Sequence, residues 1–430
     1  MTPAALRVVP VEGRRLLSGF VELPRRLLRD DPCYVPPLDL MVRRTLAPRT
    51  NPYFRDAEAR LWLALRGNRP VGRISAQVDA LALARHRDAT GHFGFLDAED
   101  DAEVFAALLA TAEAWLARRG MARVRGPFSP SINDECGLLV DGFDSPPMLM
   151  MGHARPHYGR HLAAAGYAGA KDLLAYEARI GDALPERGRR LLERASRAQG
   201  LVVRPLRLDR YAEEIRTVVD VFNDAWAGNW GFVPLAGDRL DHLARSLRPL
   251  IAEDLVAIAE IDGEPAAMMI ALPNLNEAIG DLGGTLLPLG WAKLLWRLRA
   301  GRILSARVPL MGLRRRHHAS AVGAAAMFGM FEAVRAACRR RGMERAELSW
   351  VLEDNRPLRH VLEAMGARPY KTYRLYEKTL VQEAVAGMRP QDVAAAARAP
   401  AATRSDNGIE VDAQGIGDPL HHVDRTGAGT

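Results

Sequence analysis

Cysteine is nearly absent from this chain: Cys33, Cys136 and Cys338 are the only three in 430 residues, far apart and odd in number. No disulfide framework and no Cys-x-x-Cys pair can be built from them, so a reducing cytoplasm is expected and a metal site is not. Long hydrophobic runs are missing too. The most apolar stretch, ASAVGAAAMFGMF, falls well short of the roughly 20 residues that span a bilayer, so no crossing segment is expected. The opening MTPAALRVVPVEGRRLL lacks the basic stretch and apolar core of a secretory signal, and export is not expected. Lysine is scarce, four residues among 59 basic ones, so the net charge of +7 is carried by arginine. Arginine suits phosphate groups and anionic surfaces, yet here it is scattered and accompanied by no recognition motif, which argues against nucleic acid.

What the chain does contain is a repeat. LAAAGYAGAKDLLAYE, ending at Glu177, and LEAMGARPYKTYRLYE, ending at Glu377, match at an offset of 200, with Gly166 on Gly366 and Lys171 on Lys371. Other landmarks follow in the same order: RVVPVEG and LVVRPLR, CYVPPL and GFVPL, then two hairpin patterns, LWLALRGNRPVGRIS and LVAIAEIDGEPAAMMI. Next come two amphipathic helices stopped by Gly120 and Gly342, at an offset of 222. The first copy therefore carries 22 extra residues, within SPSINDECGLLVDGFDSPPMLMMGHARP. Each copy reads strand, helix, hairpin, strand, helix, strand, helix, strand: an α/β layer with a mixed, twisted sheet flanked by helices. The expected organisation is two tandem domains, 1–184 and 185–385, and a tail, 386–430, whose lack of apolar periodicity predicts disorder.

The second copy resembles a GNAT acyltransferase, the superfamily that moves an acyl group from acyl-CoA to an amine. The likeness covers about residues 200–380 and is densest in RAELSWVLEDNRPLRHVLEAMGARPYKTYRLYEK. More narrowly, NDAWAGNWGFVPL, ELSWVLEDN and INDECGLLVDGFDSPP are similar to a bacterial family of tandem GNAT-like proteins that includes the bacterial ceramide synthases, which acylate the amine of a sphingoid base. The resemblance implies two GNAT-like domains, acyl-CoA as co-substrate and a lipid or small amine as acceptor. It also puts Asn355 at the CoA-binding cleft. GNAT proteins hold pyrophosphate on a Q/R-x-x-G-x-G/A turn at a helix N-terminus, where backbone amides and the helix dipole meet an anion. Here His318, Ala321 and Gly323 take the three motif places, so only the last matches. The small residues around them still let a phosphate approach the backbone, which makes Leu313, His318, Ala319, Ser320, Ala321, Val322 and Gly323 the candidate cofactor turn. The first copy reads GHFGFLDAEDDAEVF there, acidic where pyrophosphate would sit, so it is expected to be degenerate.

Acyl transfer to an amine needs a base for the amine, polarisation of the thioester carbonyl and a proton for the thiolate. The tyrosine acid usual in the superfamily is replaced by Leu362, leaving Tyr370 and Tyr373 as substitutes. Candidate bases are Glu347, Glu353 and Asp354 around the splayed strand, His317 and His318 in the phosphate turn, and Asp134 and Glu135 in the unmatched insertion, where polar residues run straight into apolar ones. Asn223, Trp226, Asn229 and Trp230, with Asn133, mix aromatic and amide groups suited to an amphipathic ligand. In LLPLGWAKLLWRLRAGRILSAR, Trp291, Leu294, Leu295 and Leu298 recur at helical spacing beside Lys293, Arg297 and Arg299. Such a helix packs in a core, lies on an anionic membrane or lines a channel for an acyl tail; the expected place is the cytoplasm, with peripheral contact at the inner membrane. Long-chain N-acyl transfer is the leading expectation. Acetyl transfer to a small amine or peptide, and noncatalytic binding of acyl-CoA or lipid, are the alternatives.

Overall fold

The computed structural model describes residues 4–380, apart from 196, 198 and 302; the predicted tail at 386–430 lies outside the described residues. The first repeat runs β1 (Leu6–Pro10), α1 (Gly13–Leu27), α2 (Asp39–Thr45), α3 (Tyr53–Asp56), β2 (Ala57–Arg66), β3 (Arg69–Asp79), α4 (Ala80–His86), β4 (Thr90–Ala98), α5 (Ala102–Ala117) and β5 (Arg123–Gly126). The insertion then forms β6 (Phe128–Ser129), β7 (Glu135–Cys136) and β8 (Leu138–Asp141), before the closing α6 (His157–Ala164) and β9 (Ala168–Arg179). After α7 (Glu186–Ala195), the second repeat runs β10 (Leu201–Pro205), α8 (Tyr211–Trp226), α9 (Gly237–Leu247), β11 (Val256–Ile261), β12 (Glu264–Pro273), α10 (Asn276–Ile279) and α11 (Gly290–Arg299). It ends with β13 (Ser305–Leu313), α12 (Ala321–Arg340), β14 (Arg345–Leu352), α13 (Arg356–Ala364) and β15 (Arg368–Thr379).

The duplication shows in backbone detail. In β2–β3 the register slips between Ala64 and Leu65, where Leu65 faces Pro70, and in β11–β12 it slips between Ala259 and Glu260, where Glu260 faces Pro265. Proline has no N–H to give a ladder, so each copy bulges at the same place. The glycines that stop the matched helices, Gly120, Gly342, Gly166 and Gly366, all have φ between 70° and 88°, a left-handed conformation that glycine adopts without the Cβ penalty. Each repeat has one parallel pairing, β4 with β5 and β13 with β14, joined by the crossover helices α5 and α12.

The two copies build one sheet of 13 strands in the order β1-β2-β3-β4-β5-β15-β9-β14-β13-β12-β11-β10, with β8 also on β15. The closing strands lie side by side at its centre, each next to the other repeat: β15 pairs β5 of the first copy, and β9 pairs β14 of the second. Cores cross over with them. Tyr373, Leu375 and Tyr376 pack among the first copy's apolar residues, and Tyr176, Ala178 and Ile180 among the second's. Full burial of one aliphatic side chain contributes about 1.5–3 kcal/mol, so neither core is complete without the other copy's strand. Helix α12 has the length and hydropathy of a membrane-crossing helix, yet 56% of its most apolar window is buried in the protein. It is the core helix of the second repeat.

Candidate active site

Strands β13 and β14 pair only from Ser305 to Val308; β13 then follows β12 to Leu313, while β14 stays on β9 to Leu352, so a gap opens between them. The chain leaves β13 through a 3-10 turn at Arg315–His317 and enters α12. Ser320 caps that helix, its hydroxyl accepting from the Gly323 N–H at 2.9 Å, and the His318 ring lies 2.7 Å from the Leu313 carbonyl. These contacts gather Leu313 and 318–323 into one turn. The N–H groups of Ala321 and Val322 begin the helix and have no carbonyl a turn earlier to bond, so they point outward with the positive end of the helix dipole. Asn355 caps α13 from the end of β14, accepting from the Leu358 N–H at 3.3 Å, which leaves its amide nitrogen as a donor. Arg314, Arg315 and Arg316 pair with Asp220, Asp224 and Glu264, so the positive potential here comes chiefly from backbone.

Gly323 is where that turn closes on the helix. A Cβ there would stand 2.2 Å from the His317 carbonyl oxygen, a backbone atom that cannot swing aside. Gly323→Ala is therefore expected to displace the turn and weaken CoA binding about tenfold or more, the worth of one charge-assisted hydrogen bond, measured by calorimetry. Unchanged affinity would remove the turn from the site.

The corresponding gap in the first repeat is filled by its own chain. Gln77 donates to the carbonyls of Phe128 and Pro130 at 2.7 and 2.9 Å, and the Phe95 N–H donates to Ser129. A Cβ on Gly94 would fall 1.6 Å from the Phe128 oxygen, so only glycine allows this crossing. The start of α5 is capped by Asp101, which accepts from the Glu103 N–H at 2.9 Å; that helix terminus already holds a carboxylate.

Between the repeats lies a buried polar cluster. Glu347 on β14 is 0% exposed and accepts from Ser349 Oγ at 2.6 Å and from the Tyr370 hydroxyl. Arg307 on β13 is 1% exposed, lies 3.5 Å from Glu347, and donates to Ser349 Oγ and to the Leu149 carbonyl of the insertion, both at 2.9 Å. Lys371 donates to two other insertion carbonyls, Gly142 and Ser145. Two donors in this region, Tyr373 Oη and Trp350 Nε1, are buried with no hydrogen-bond partner. A buried donor without an acceptor costs about 1–3 kcal/mol, so such groups mark a place for a ligand's polar atom. Burial and the Glu347 charge push the Tyr370 hydroxyl well above the ordinary tyrosine range.

The insertion brings Glu135 to the same region. A Cβ on Gly152 would sit 3.0 Å from its carboxylate, and the neighbouring Met151 meets Ser349 Oγ through sulfur at 3.5 Å. Solvent reaches Glu135, but protein crowds its other sides; that burial, with the Asp97 charge, raises its pKa to about 7. Asp134 faces away, bonded to Ser131, and burial lifts it to about 6. Of the predicted catalytic residues, Glu347 and Tyr370 are in contact, Glu135 lies near them, and Asp134 is bonded to Ser131, which lines another cleft. That cleft is lined by Ser131, Asn133, Trp230, His92, Arg125 and Arg239, with the Arg125 guanidinium over the Trp230 ring. Asn223 spends its amide on Leu235, holding the loop after α8, and Trp226 donates to the Met311 carbonyl on the edge of the β13 gap at 3.0 Å. Asn229 turns the chain between them, its N–H donating to the Trp226 carbonyl. Among the described residues, no group of three His, Cys, Asp or Glu side chains is placed to hold a metal.

Arg307, Ser349 and Lys371 escaped the sequence reading. For Lys371 the signal was its register with Lys171; for Arg307 it was an arginine inside an apolar strand.

No protein-family model matches the chain. It is 46% identical over 380 residues to the bacterial ceramide synthase of Caulobacter vibrioides, covering 88% of this chain and 99% of that one. Over 365 residues it is 42% identical to protein YghO of Escherichia coli, covering 85% and 93%. Among solved structures it is similar to a tandem GNAT protein from the clavulanic acid biosynthesis pathway, with TM-score 0.53 and 15% identity over 88% of this chain and 99% of that one. That likeness concerns the fold.

Proposed function

Because the chain belongs to the bacterial ceramide synthase family and is an N-acyltransferase of the GNAT type, we propose that it transfers a fatty acyl group from acyl-CoA to the amine of a sphingoid base. The observation that carries this reading is the 46% identity over 99% of the length of the ceramide synthase. The open turn at α12 supports acyl-CoA as donor: the amides of Ala321 and Val322 would receive pyrophosphate, and the gap between β13 and β14 would take the pantetheine arm past Asn355. Trp226, bonded to the Met311 carbonyl, flanks that gap on the acceptor side, and Asn223 and Asn229 hold the loop that follows it. Glu135 takes the proton from the acceptor ammonium, since its raised pKa leaves it a base of useful strength near neutral pH. The unpartnered Tyr373 hydroxyl is a donor for the thioester oxygen or the departing sulfur, with Tyr370 held by Glu347. Arg307 and Lys371 fix the insertion on the second repeat, which makes the first repeat a contributor to one shared site. An acceptor of this kind is held in a membrane, so the reading places the protein on the cytoplasmic face as a peripheral protein.

Purified protein given acyl-CoAs of graded chain length and a sphingoid base is expected to release free thiol and form an N-acyl product, fastest with long chains. Thiol release with acetyl-CoA alone would replace the lipid reading by acetyl transfer. Binding without thiol release across many amines would reduce the protein to a carrier.

A further inference from the structure

Among the described residues, eleven large hydrophobic side chains are classed as exposed, and nine fall on α2 and the 287–304 segment. Helix α2 is held to the chain just before the second segment: the Asp39 N–H donates to the Gly284 carbonyl at 2.8 Å, and Arg25 bridges Gly283 and Asp39. Leu40 and Met41 from the first repeat therefore adjoin the segment that carries Leu287, Leu289 and α11 from the second.

Helix α11 is turned the opposite way from a helix of a water-soluble core. Trp291, Leu295 and Leu298, spaced i, i+4, i+7, are 52%, 39% and 42% exposed. On another side Lys293 and Arg297 both bind Asp281, and the half-buried Arg297 also donates to the Ala278 carbonyl at 2.7 Å. Leu294 alone of the four predicted stripe residues packs against the apolar core. Trp296 and Leu287 stand 55% and 75% exposed beside the stripe. From 282 to 304 the chain has no Asp or Glu, and exposed Arg299, with Arg44 one turn along α2 from Leu40 and Met41, makes the border basic. Apolar residues that include two tryptophans, bordered by arginine and with the one acid of α2, Asp39, neutralised by Arg25, match the interface of an anionic bilayer in both polarity and charge.

We propose that α2 and the 287–304 segment form one docking surface for an anionic lipid bilayer, from which the enzyme draws its long-chain amine; this rests on the lipid-acceptor reading above. The outward stripe enters the acyl boundary, and Arg44 and Arg299 meet the headgroups. The test is co-sedimentation of the full chain with phosphatidylcholine vesicles with and without phosphatidylglycerol. Binding is expected only with phosphatidylglycerol, weakening as salt rises. Trp291→Asp with Leu295→Asp is expected to reduce binding at least tenfold while turnover of a short-chain, water-soluble amine is unchanged. Arg44→Glu with Arg299→Glu, which leaves the apolar residues in place, is expected to remove the phosphatidylglycerol preference. Wild-type protein that stays in solution with either vesicle, or aspartate variants that bind as well as wild type, would overturn the proposal. So would a dimer that the aspartate variant splits, since the surface would then join copies of the chain. Vesicle binding without turnover of any amine would sink the catalytic reading and leave the surface standing.

Discussion

Glu135→Gln is expected to lower kcat/KM by about 10²–10⁴ near pH 8, the usual worth of a positioned general base, while the fold persists. Persistence follows from the side chain's surroundings: no protein donor is bonded to it, solvent reaches it, and the amide has the same shape. The pH profile gives the sharper readout. With a carboxyl that titrates at about 7, wild-type kcat/KM rises tenfold per pH unit below 7 and levels above it; the glutamine variant lacks that limb. Stability moves the other way. The folded pKa lies above the ordinary 4.5, so between 4.5 and about 7 the unfolded chain binds fewer protons than the folded one, and stability falls as pH climbs through that window. The variant removes that fall and is expected to melt no lower than wild type at pH 8. Activity within a few-fold of wild type, with the acid limb intact, would dismiss Glu135 as the base.

Much of the fold could be read because its signals are local. Hairpin turns at Gly67 and Gly263, and helix stops at Gly120, Gly166, Gly342 and Gly366, are set by a few neighbouring residues, and all recur where the repeat places them. The joining of both copies into one sheet is not local. Nothing in Ala168–Arg179 or Arg368–Thr379 says which neighbour each closing strand takes, because two related strands of similar alternation fit either slot and the choice is made by packing across the whole sheet. The candidate site divides the same way. The turn at α12 was legible as small residues at a helix start, and Asn355 was placed by the family resemblance, its role as the cap of α13 being set by the fold. The cluster of Glu347, Arg307 and Lys371 joins three strands of one repeat to the other repeat's insertion, up to 229 residues apart along the chain. Helix α11 shows a different limit: its stripe was legible, but periodicity is blind to which side the stripe turns, and Asp281 decides that by binding Lys293 and Arg297.

Removing the buried guanidinium should have the largest effect on stability. Arg307→Met is expected to cost about 3–5 kcal/mol, because it strips a fully buried carboxylate of its adjacent cation while the desolvation of Glu347 remains. It also leaves the Leu149 carbonyl and Ser349 Oγ without their shared donor. If charge rather than shape is at stake, Arg307→Met combined with Glu347→Leu is less destabilised than the two single changes added together, with a coupling of about 1–3 kcal/mol in denaturant unfolding. Arg307→Lys separates charge from geometry: the ammonium still faces Glu347 but lacks the planar fork that reaches Ser349 and Leu149 together. It is expected to keep most of the stability and the affinity for CoA, and to lose kcat, since the insertion that carries Glu135 is no longer pinned to β14. Arg307→Met within about 0.5 kcal/mol of wild type would mean that the cluster neither holds the repeats together nor sets the position of Glu135.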